Sequence, residues 1–552
     1  MKLLLHWVRN QHISTVLLCL PLALLYQWAI RTERLSQETL EIRRWMLIPM
    51  ALFILFAFAG PLLFVTHEHM LFHDEPAVIA VAAAELHGEP LYHAPAAAER
   101  YSLLYGPATY WVYMPPMIAK ATDLRIFQLW VLLPLSLSAL VAWHISRRLL
   151  SPRDALFTLF CFAVAVLTQS PSEWAMKADV WILLAICVAL WGATKLGKFG
   201  APIVIGLSGA LLINLKITAI VPICVPLLLL QKRFGYKSVL ATLSIVLGLV
   251  LGTFSIPGIS WHNYWFWLHA STVHRLSSVI MLDNTSFMAF LALPALALYA
   301  VLYVVHPQEA RLWLRTNLTL LAVIVICAIF AIVTGSKVGA GNWHCMPLAP
   351  IMLALSVELL ARLRSTQSAL NGTVPPRAVF VMLWLFVSLL VVAGNTSLWT
   401  FKLHINGGTV ASGIAPRAAA NDLRTILTNN PGRTIQMGYG NNATYDLTFQ
   451  RPILVLNGNP YTLDADAMAE MGLSDLPLPQ ATVDAMRSCA IDIWLIPRDA
   501  APFSMASLYF MSGEKAPRDV FPHQLREAFL SNYRKSSQSR FYDSWTCSHP
   551  SP

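Results

Sequence analysis

The chain has 552 residues, of which 56% are hydrophobic and only 12% are charged, and its formal net charge is +10. Soluble domains carry about 25% charged residues, so this composition excludes an ordinary soluble protein and predicts a membrane protein with several spans. The positive charge does not indicate nucleic-acid binding, because the basic residues are spread over short loops between apolar runs. We therefore predict the lipid bilayer as a partner, and no nucleic acid.

Twelve apolar stretches approach the ~20 residues that a helix needs to cross a bilayer. The first stretch is followed by Arg31 and Arg34 and not by a small-residue cleavage site, which favours a membrane anchor over a cleaved signal peptide. Two central stretches are separated only by Leu215 and Lys216, and broken spans often border a binding site. The predicted spans are 13–30, 45–66, 124–146, 155–169, 179–194, 201–214, 217–231, 237–257, 286–305, 316–334, 345–361 and 379–397.

The loops between these spans alternate in charge. One set contains seventeen lysines and arginines, whereas the other set contains six in longer loops. Because positively charged loops remain in the cytoplasm, the second set is predicted to lie on the outer face, with the long polar loop 67–123, the 258–285 loop and the C-terminal tail. An even number of spans also places Lys2 and Arg9 outside, and a miscounted first span would remove that conflict.

The composition becomes more polar and richer in proline after residue 397, which predicts a transmembrane domain 1–397 and a C-terminal α/β domain 398–552. Cys489 and Cys547 lie at the edges of strand-like segments in this second part, where they could pair in an oxidising compartment. Buried strands are predicted at 434–437, 452–456 and 490–496, and helices near 463–471, 479–488 and 521–532.

Asp74 and Glu75 follow the span 45–66 within a few residues and open the polar loop 67–123. Ionisable groups beside a membrane exit are costly to desolvate, so they are functional candidates. Asp74 could also cap the following helix, with a proline in its first turn. Capping does not account for two acids, a following Glu85 and a loop of this length, and we therefore predict a functional role for the pair.

The segment from Phe72 to Tyr92, followed by Tyr105, Gly106 and Pro107, resembles the first outer loop of GT-C glycosyltransferases. These enzymes include protein O-mannosyltransferases and the lipid A aminoarabinose transferase. Their pattern has Asp-Glu after an early span, a helix with small residues, Gly-x-x-x-Tyr and then Tyr-Gly-Pro.

The resemblance implies a polytopic α-helical membrane protein of GT-C type, with about twelve spans and a C-terminal extracytoplasmic α/β domain. It implies that Asp74 is the base for an acceptor hydroxyl and that the sugar comes from a polyprenyl-phosphate donor. Glu75 is expected to position the loop or the substrate. We predict an integral protein of a bacterial inner membrane, with the active site and the C-terminal domain facing the periplasm.

Transfer from a lipid phosphate needs a base, cations for the phosphate and a groove for the lipid tail. Lys216 interrupts two spans within a Lys-x-Thr that resembles related transferases, although it could be a snorkelling lysine. Lys337 lies in a glycine-rich run whose N–H groups could approach an anion, although the run could be only a flexible turn. We expect these two lysines to converge near Asp74, with Arg275 or Lys177 as the competing phosphate ligands.

Three further residues, Tyr105, Asp179 and His344, are predicted to bind substrate. Asp179 heads a span and could instead cap it or pair with a lysine. His344 is one of several outer-face histidines, none with the His-Glu-x-x-His spacing, so no zinc site is predicted. A divalent cation held by Asp74 and other acids stays possible, and no other cofactor is indicated.

Two classes of protein fit these features. The first is a membrane glycosyltransferase that moves a sugar from a polyprenyl-phosphate donor to an extracytoplasmic acceptor, which could be a glycolipid, a polysaccharide or a protein. The second is a transporter or flippase of a lipid-linked saccharide, because twelve spans are typical of that class. Transporters usually have related halves and polar residues at mid-membrane, whereas here the halves differ and the acids cluster at the outer surface. A structural subunit would not account for the acidic loop, so we favour the transferase.

Overall fold

The computed structural model describes residues 44–65, 72–101, 105–167, 175–369, 375–405, 416–506 and 519–548, together with positions 20, 68 and 70. The predicted span 13–30 therefore lies outside the described residues, apart from position 20.

The described chain up to residue 405 is built from helices. Short 3-10 turns at Ile217–Ile223, Ser271–Val273 and Asn342–Leu348 interrupt their sequence. The helices are α1 (Arg44–Val65), α2 (Asp74–Leu86), α3 (Ala108–Trp111), α4 (Met114–Ile118), α5 (Leu124–Trp130), α6 (Leu132–Arg147), α7 (Pro152–Leu167), α8 (Asp179–Lys195), α9 (Gly200–Leu215), α10 (Cys224–Phe234), α11 (Tyr236–Thr253), α12 (Trp261–Ala270), α13 (Ser278–Val305), α14 (Pro307–Gly335), α15 (Ala349–Ala369) and α16 (Pro376–Ile405).

Every predicted span that falls among the described residues coincides with one or two of these helical segments. Within the described residues, seven segments are long and apolar enough to cross a membrane. The prediction of a polytopic helical membrane protein is thus confirmed, and the count of twelve spans stays a prediction. The seven segments are Leu124–Arg147, Ile217–Phe234, Tyr236–Thr253, Ser278–Val305, Pro307–Gly335, Asn342–Thr366 and Arg377–Gly394.

The helices pack around one apolar core and leave apolar side chains on their outer faces. Helix α9 contacts both α8 and α11, and α13 contacts α14, α15 and α16. Core positions such as Leu183, Leu298 and Leu360 are fully buried, whereas Leu247 and Ile326 remain about 60% exposed on the outside. Contiguous exposed apolar surface of this kind is typical of a protein that faces lipid.

The described residues after 415 form a four-stranded mixed sheet with helices packed on it. The strand order is β1-β2-β4-β3, in which β1 runs parallel to β2 and the other pairs are antiparallel. The elements are α17 (Pro416–Asn429), β1 (Ile435–Met437), α18 (Pro452–Leu456), α19 (Ala465–Leu473), α20 (Gln480–Arg487), β2 (Ile493–Pro497), α21 (His523–Asn532), β3 (Tyr533–Gln538) and β4 (Tyr542–Cys547).

The strand predicted at 452–456 is wrong, because this segment is the one-turn helix α18. Pro452 stands at the start of that helix, where the missing N–H of proline costs nothing. Residues Pro452 to Val455 are all buried, and a continuous apolar run cannot distinguish a buried helix from a buried strand by its period. The other two predicted strands and the three predicted helices of this region are present, and Cys489 and Cys547 form the predicted disulfide.

The outer loop and the C-terminal region share one hydrophobic cluster, separate from the core of the helical bundle. Tyr92 and Tyr101 of the loop and Trp267 of α12 belong to the same cluster as Met468 and Trp494 of the C-terminal region. These segments therefore pack together at one end of the bundle.

A buried arginine connects the same parts electrostatically. Arg451 is 1% exposed, and its Nη2 lies 2.9 Å from Asp464 Oδ2 and 3.7 Å from Asp466 Oδ2. The same Nη2 donates a hydrogen bond to the carbonyl oxygen of His73, immediately before α2. The C-terminal region thereby fixes the backbone at the start of α2.

We expect Arg451→Met to lower the free energy of unfolding by about 3 kcal/mol, because it leaves the Asp464 carboxylate buried without its cation. The shift of the thermal unfolding midpoint in detergent measures this loss. The matched control is Arg487→Met, which removes a pair with Asp484 whose side chains are 56% and 57% exposed. Equal small shifts for both variants would contradict a structural role for the buried pair.

Candidate functional site

Asp74 is the first residue of α2 and does not act as the cap of that helix. The cap position is His73, whose side chain makes no capping hydrogen bond. The carboxylate of Asp74 instead contacts two side chains from other segments. Lys177 Nζ lies 2.8 Å from its Oδ1, and the Tyr105 hydroxyl donates to its Oδ2 at 2.9 Å.

This ion pair is almost removed from solvent, since Asp74 is 9% exposed and Lys177 is 3% exposed. Burial alone would raise the pKa of Asp74, but the nearby charges of Lys177 and His73 lower it to about 2. Asp74 is therefore ionised at any physiological pH. The Lys177 ammonium also lies 3.9 Å from the ring centre of Phe72 and 5.4 Å from that of Trp343, so aromatic faces complete its surroundings.

Glu75 accepts hydrogen bonds from backbone N–H groups of the same two segments. One of its oxygens accepts a hydrogen bond from the Phe72 N–H at 2.8 Å, and the other accepts from the Met176 N–H at 2.9 Å. The first contact is local to the start of α2, and the second joins it to the segment that carries Lys177. Glu75 is 2% exposed and is not among the residues that line the cavity described below, so its geometry is that of a positioning residue.

Tyr105 is held in place by the Tyr-Gly-Pro turn against the end of α9. The Gly106 N–H donates to the carbonyl oxygen of Leu215 at 3.0 Å. A Cβ atom on Gly106 would lie only 2.3 Å from the carbonyl oxygen of Asn214, so no other residue fits without moving that backbone. The contact places Tyr105 beside Lys216, whose ammonium lies 5.8 Å from the tyrosine ring centre.

Asp74 lines a cavity of about 170 Å³ between the ends of the helices and the C-terminal region. Three lysines from three separate segments line it, namely Lys177, Lys216 and Lys337. The remaining lining residues are His73, Tyr105, Ile217, Thr218, Leu268, His274, Thr334, Val338, Gly339, Ala340, Trp343, His344, Asp466 and Glu470.

Most of the residues that the sequence nominated meet at this cavity. Tyr105, Lys216, Lys337 and His344 line it together with Asp74. Lys216 adopts an extended conformation between α9 and the following 3-10 turn, so the predicted break between the two spans directs a lysine to the site.

Besides Glu75, two nominated residues lie outside this cavity. Arg275 does not line the cavity, and its carbonyl oxygen accepts from the Val338 N–H at 2.9 Å, which supports the turn that carries Lys337. Asp179 lines a smaller neighbouring cavity, which it shares with Lys216 and His344. The walls of this second cavity are mostly apolar and include Phe330 of α14.

The C-terminal region contributes two carboxylates to the cavity that were not predicted from the sequence. His73 Nδ1 lies 2.6 Å from Asp466 Oδ1, and His274 Nε2 lies 2.9 Å from Glu470 Oε2. Asp466 and Glu470 stand one turn apart on α19, and this spacing was the only signal in the sequence that could have paired them.

No group of three or more His, Cys, Asp or Glu side chains within the described ranges is arranged to hold a metal ion. Around Asp74 the structure places a lysine and a tyrosine, which are not the oxygen ligands that a hard divalent cation needs. The residues present therefore do not fit the divalent cation considered from the sequence.

Comparison with known proteins gives a structural likeness only, since no family model and no curated protein sequence matches the chain. Crystal structures of ArnT from Cupriavidus metallidurans, one apo and one bound to undecaprenyl phosphate, match with a TM-score of 0.54 and 12% identity. They cover 91% of this chain and 97% of ArnT. The cryo-EM structure of the arabinosyltransferase EmbB from Mycobacterium smegmatis covers 88% of this chain and 47% of EmbB, with a TM-score of 0.38 and 13% identity.

The likeness to ArnT shows the fold of this chain. It confirms the GT-C fold that the outer-loop resemblance predicted.

Proposed function

We propose that this protein is a membrane glycosyltransferase that moves a sugar from a polyprenyl-phosphate donor to an acceptor hydroxyl, with Asp74 as the base. The observation that carries the proposal is the cavity in which an ionised, buried carboxylate stands among three lysines at the ends of membrane helices. The GT-C fold supports it, and ArnT, which shares that fold, has been crystallised with undecaprenyl phosphate.

The reaction needs the carboxylate and the lysines at opposite ends of the reacting sugar. Asp74 accepts the proton of the acceptor hydroxyl while the acceptor oxygen attacks the anomeric carbon. The bond between that carbon and the phosphate oxygen breaks, and its electron pair remains on the released polyprenyl phosphate. Lys216 and Lys337 stabilise the growing negative charge on that phosphate, because an ammonium offers up to three donors to its oxygens.

In the proposed reaction, Lys177 keeps Asp74 a weak base until the donor has bound. In the structure described, this lysine lowers the pKa of Asp74 to about 2, which makes the carboxylate a weak base. A donor phosphate beside Lys177 shares the lysine's charge, and the pKa of Asp74 then rises toward its ordinary value. Proton acceptance is thereby favoured after the donor has bound.

The smaller cavity holds only about 10 Å³, so its walls must open before a lipid tail can pass along it. It adjoins the main cavity through Lys216, Thr218, Thr334, Trp343 and His344, which line both. Beyond these shared residues, the smaller cavity is lined by apolar residues of the 3-10 turn after α9 and of α14. Those of α14 are Cys327, Phe330 and Ala331. A polyprenyl chain that follows these residues places its phosphate beside Lys216.

We expect Asp74→Asn to abolish transfer in a folded protein, because asparagine cannot accept the proton. The variant should also lose about 3 kcal/mol of stability, since the buried Lys177 ammonium no longer faces the Asp74 carboxylate. Adding Lys177→Met should restore the stability but not the transfer. Purified variants are assayed with radiolabelled polyprenyl-phosphate sugars, one sugar at a time, and their unfolding midpoints are measured in detergent.

The control for that experiment is Glu527→Gln, which neutralises a carboxylate that is 65% exposed on α21. It should keep both activity and stability. Wild-type turnover by a folded Asp74→Asn protein would show that Asp74 is not the base. A wild-type protein that transfers no sugar from any donor would refute the proposed activity.

Lys216 and Lys337 should set the affinity for the lipid phosphate. We expect the double variant Lys216→Gln, Lys337→Gln to bind bare decaprenyl phosphate at least about tenfold more weakly, which corresponds to the loss of one charge-assisted hydrogen bond. The control is Lys120→Gln, which changes an exposed lysine of the outer loop 67–123. Unchanged affinity in the double variant would show that these lysines do not hold the phosphate.

We further propose that the cavity and the C-terminal region face the periplasm, as the loop charges indicate. In a background without the exposed Cys224, a cysteine at Asp484 should react with an impermeant maleimide in intact cells. A cysteine at Lys198, which is exposed in a positively charged loop, should react only after permeabilisation. The reverse pattern would overturn the orientation.

A further inference from the structure

Helix α19 closes the cavity with two carboxylates on the side contributed by the C-terminal region. Asp466 and Glu470 are four residues apart, so their side chains project from the same face of the helix. Both line the cavity that contains Asp74 and the three lysines. The reaction proposed above uses neither of them.

Asp466 has one oxygen that is satisfied and one that is not. Its Oδ1 lies 2.6 Å from His73 Nδ1 and accepts from the Tyr445 hydroxyl at 3.2 Å. Its Oδ2 is buried and accepts no hydrogen bond from any residue that the structure describes, and the Arg451 Nη2 at 3.7 Å is beyond hydrogen-bonding distance. A buried acceptor left without a donor costs free energy, and a ligand hydroxyl in the cavity can donate to this oxygen only if the Asp466 side chain shifts, because the oxygen has almost no exposed surface.

Glu470 is placed to act beside it. Its side chain is 21% exposed, and its Oε2 lies 2.9 Å from His274 Nε2. The Ser474 hydroxyl, one turn further on, donates to the carbonyl oxygen of Ala270 at 2.7 Å. This bond fixes α19 against α12, so both carboxylates keep their positions relative to the cavity.

Each carboxylate is paired with a histidine. Burial would lower the pKa of His73, but the carboxylates of Asp466 and Asp74 outweigh it and raise the pKa above its usual value. Burial acts in the same direction on His274, and the hydrogen bond and charge of Glu470 raise its pKa. The two pairs are therefore close to neutral as units near physiological pH.

The other charges that line the cavity are mainly positive, because Lys177, Lys216 and Lys337 share it with one further carboxylate, that of Asp74, and the Asp179 carboxylate adds a second from the smaller cavity beside Lys216. A cationic ligand group beside α19 would lie close to His73 and His274 and to this excess of lysines. A neutral hydroxyl carries no such cost and can donate directly to a carboxylate oxygen.

We propose that Asp466 and Glu470 form the subsite for the sugar of the donor, and that they select a neutral, hydroxyl-bearing sugar over an amino sugar. This inference rests on the proposed glycosyltransferase function and adds to it the class of sugar. The phosphate lies on the lysine side of the cavity, and the hydroxyls of the sugar donate to the carboxylates of α19.

The test compares the binding of lipids with and without a sugar to purified full-length protein. The probes are bare decaprenyl phosphate, its conjugates with glucose, galactose, mannose and arabinose, and its conjugate with 4-amino-4-deoxyarabinose. We expect at least one neutral conjugate to bind more tightly than both the bare lipid and the amino-sugar conjugate. Asp466→Asn and Glu470→Gln should each weaken that conjugate about tenfold and leave the affinity for bare lipid unchanged.

The matched control is Asp484→Asn, which changes a carboxylate that is 57% exposed on α20. It should not alter the affinity for any probe. If Asp466→Asn does not fold, Glu470→Gln decides the test, because its side chain is partly exposed and its loss leaves the Asp466 pair intact.

Three results would overturn the inference. They are tighter binding of the amino-sugar conjugate, an equal loss of affinity for bare lipid and sugar conjugate in the folded variants, and wild-type discrimination in both variants. A protein that transfers a sugar while its variants discriminate normally refutes the subsite alone. A wild-type protein that transfers no sugar from any conjugate refutes the glycosyltransferase function itself.

Discussion

The buried ion pair between Asp74 and Lys177 is the constraint on which the site depends. Removing either charge from water costs several kcal/mol, and the other charge, 2.8 Å away, offsets that cost together with the Tyr105 hydroxyl on Asp74. The start of α2 and the segment before α8 must therefore stay together. Glu75 strengthens this junction, because its two oxygens accept backbone hydrogen bonds from Phe72 and Met176 on the two sides of it.

Around this pair the cavity has two chemically different walls. The ends of the membrane helices contribute the lysines, and α19 of the C-terminal region contributes Asp466 and Glu470. The buried Arg451 and the shared hydrophobic cluster connect that region to the outer loop. The C-terminal region is thus one wall of the site, and changes in its packing reach the backbone next to Asp74.

In the proposed reaction, the two walls bind different parts of the donor. A lipid phosphate is attracted to the lysines, and a sugar with neutral hydroxyls finds acceptors on α19. The anomeric carbon then lies between them, near Asp74. Because Lys177 lowers the pKa of Asp74 until another anion shares its charge, donor binding and activation of the base become a single linked process.

Much of this arrangement could be predicted from the sequence, because it depends on local patterns. Apolar runs of membrane length gave the positions of the helices, and the change in composition after residue 397 gave a region with strands and a disulfide. Asp74, Tyr105 and Lys216 could be nominated because an acidic pair, a Tyr-Gly-Pro turn and a lysine between two spans are visible in a few adjacent residues.

The tertiary structure alone decided the partners of those residues. Lys177 rather than Lys216 pairs with Asp74, Arg275 supports a turn and does not reach the cavity, and Asp466 and Glu470 join the site from the other end of the chain. At 452–456 the apolar run was equally compatible with strand and helix until its surroundings were known. The physical reason is the same in each case, since burial and pairing between residues hundreds of positions apart follow from three-dimensional packing and not from local spacing.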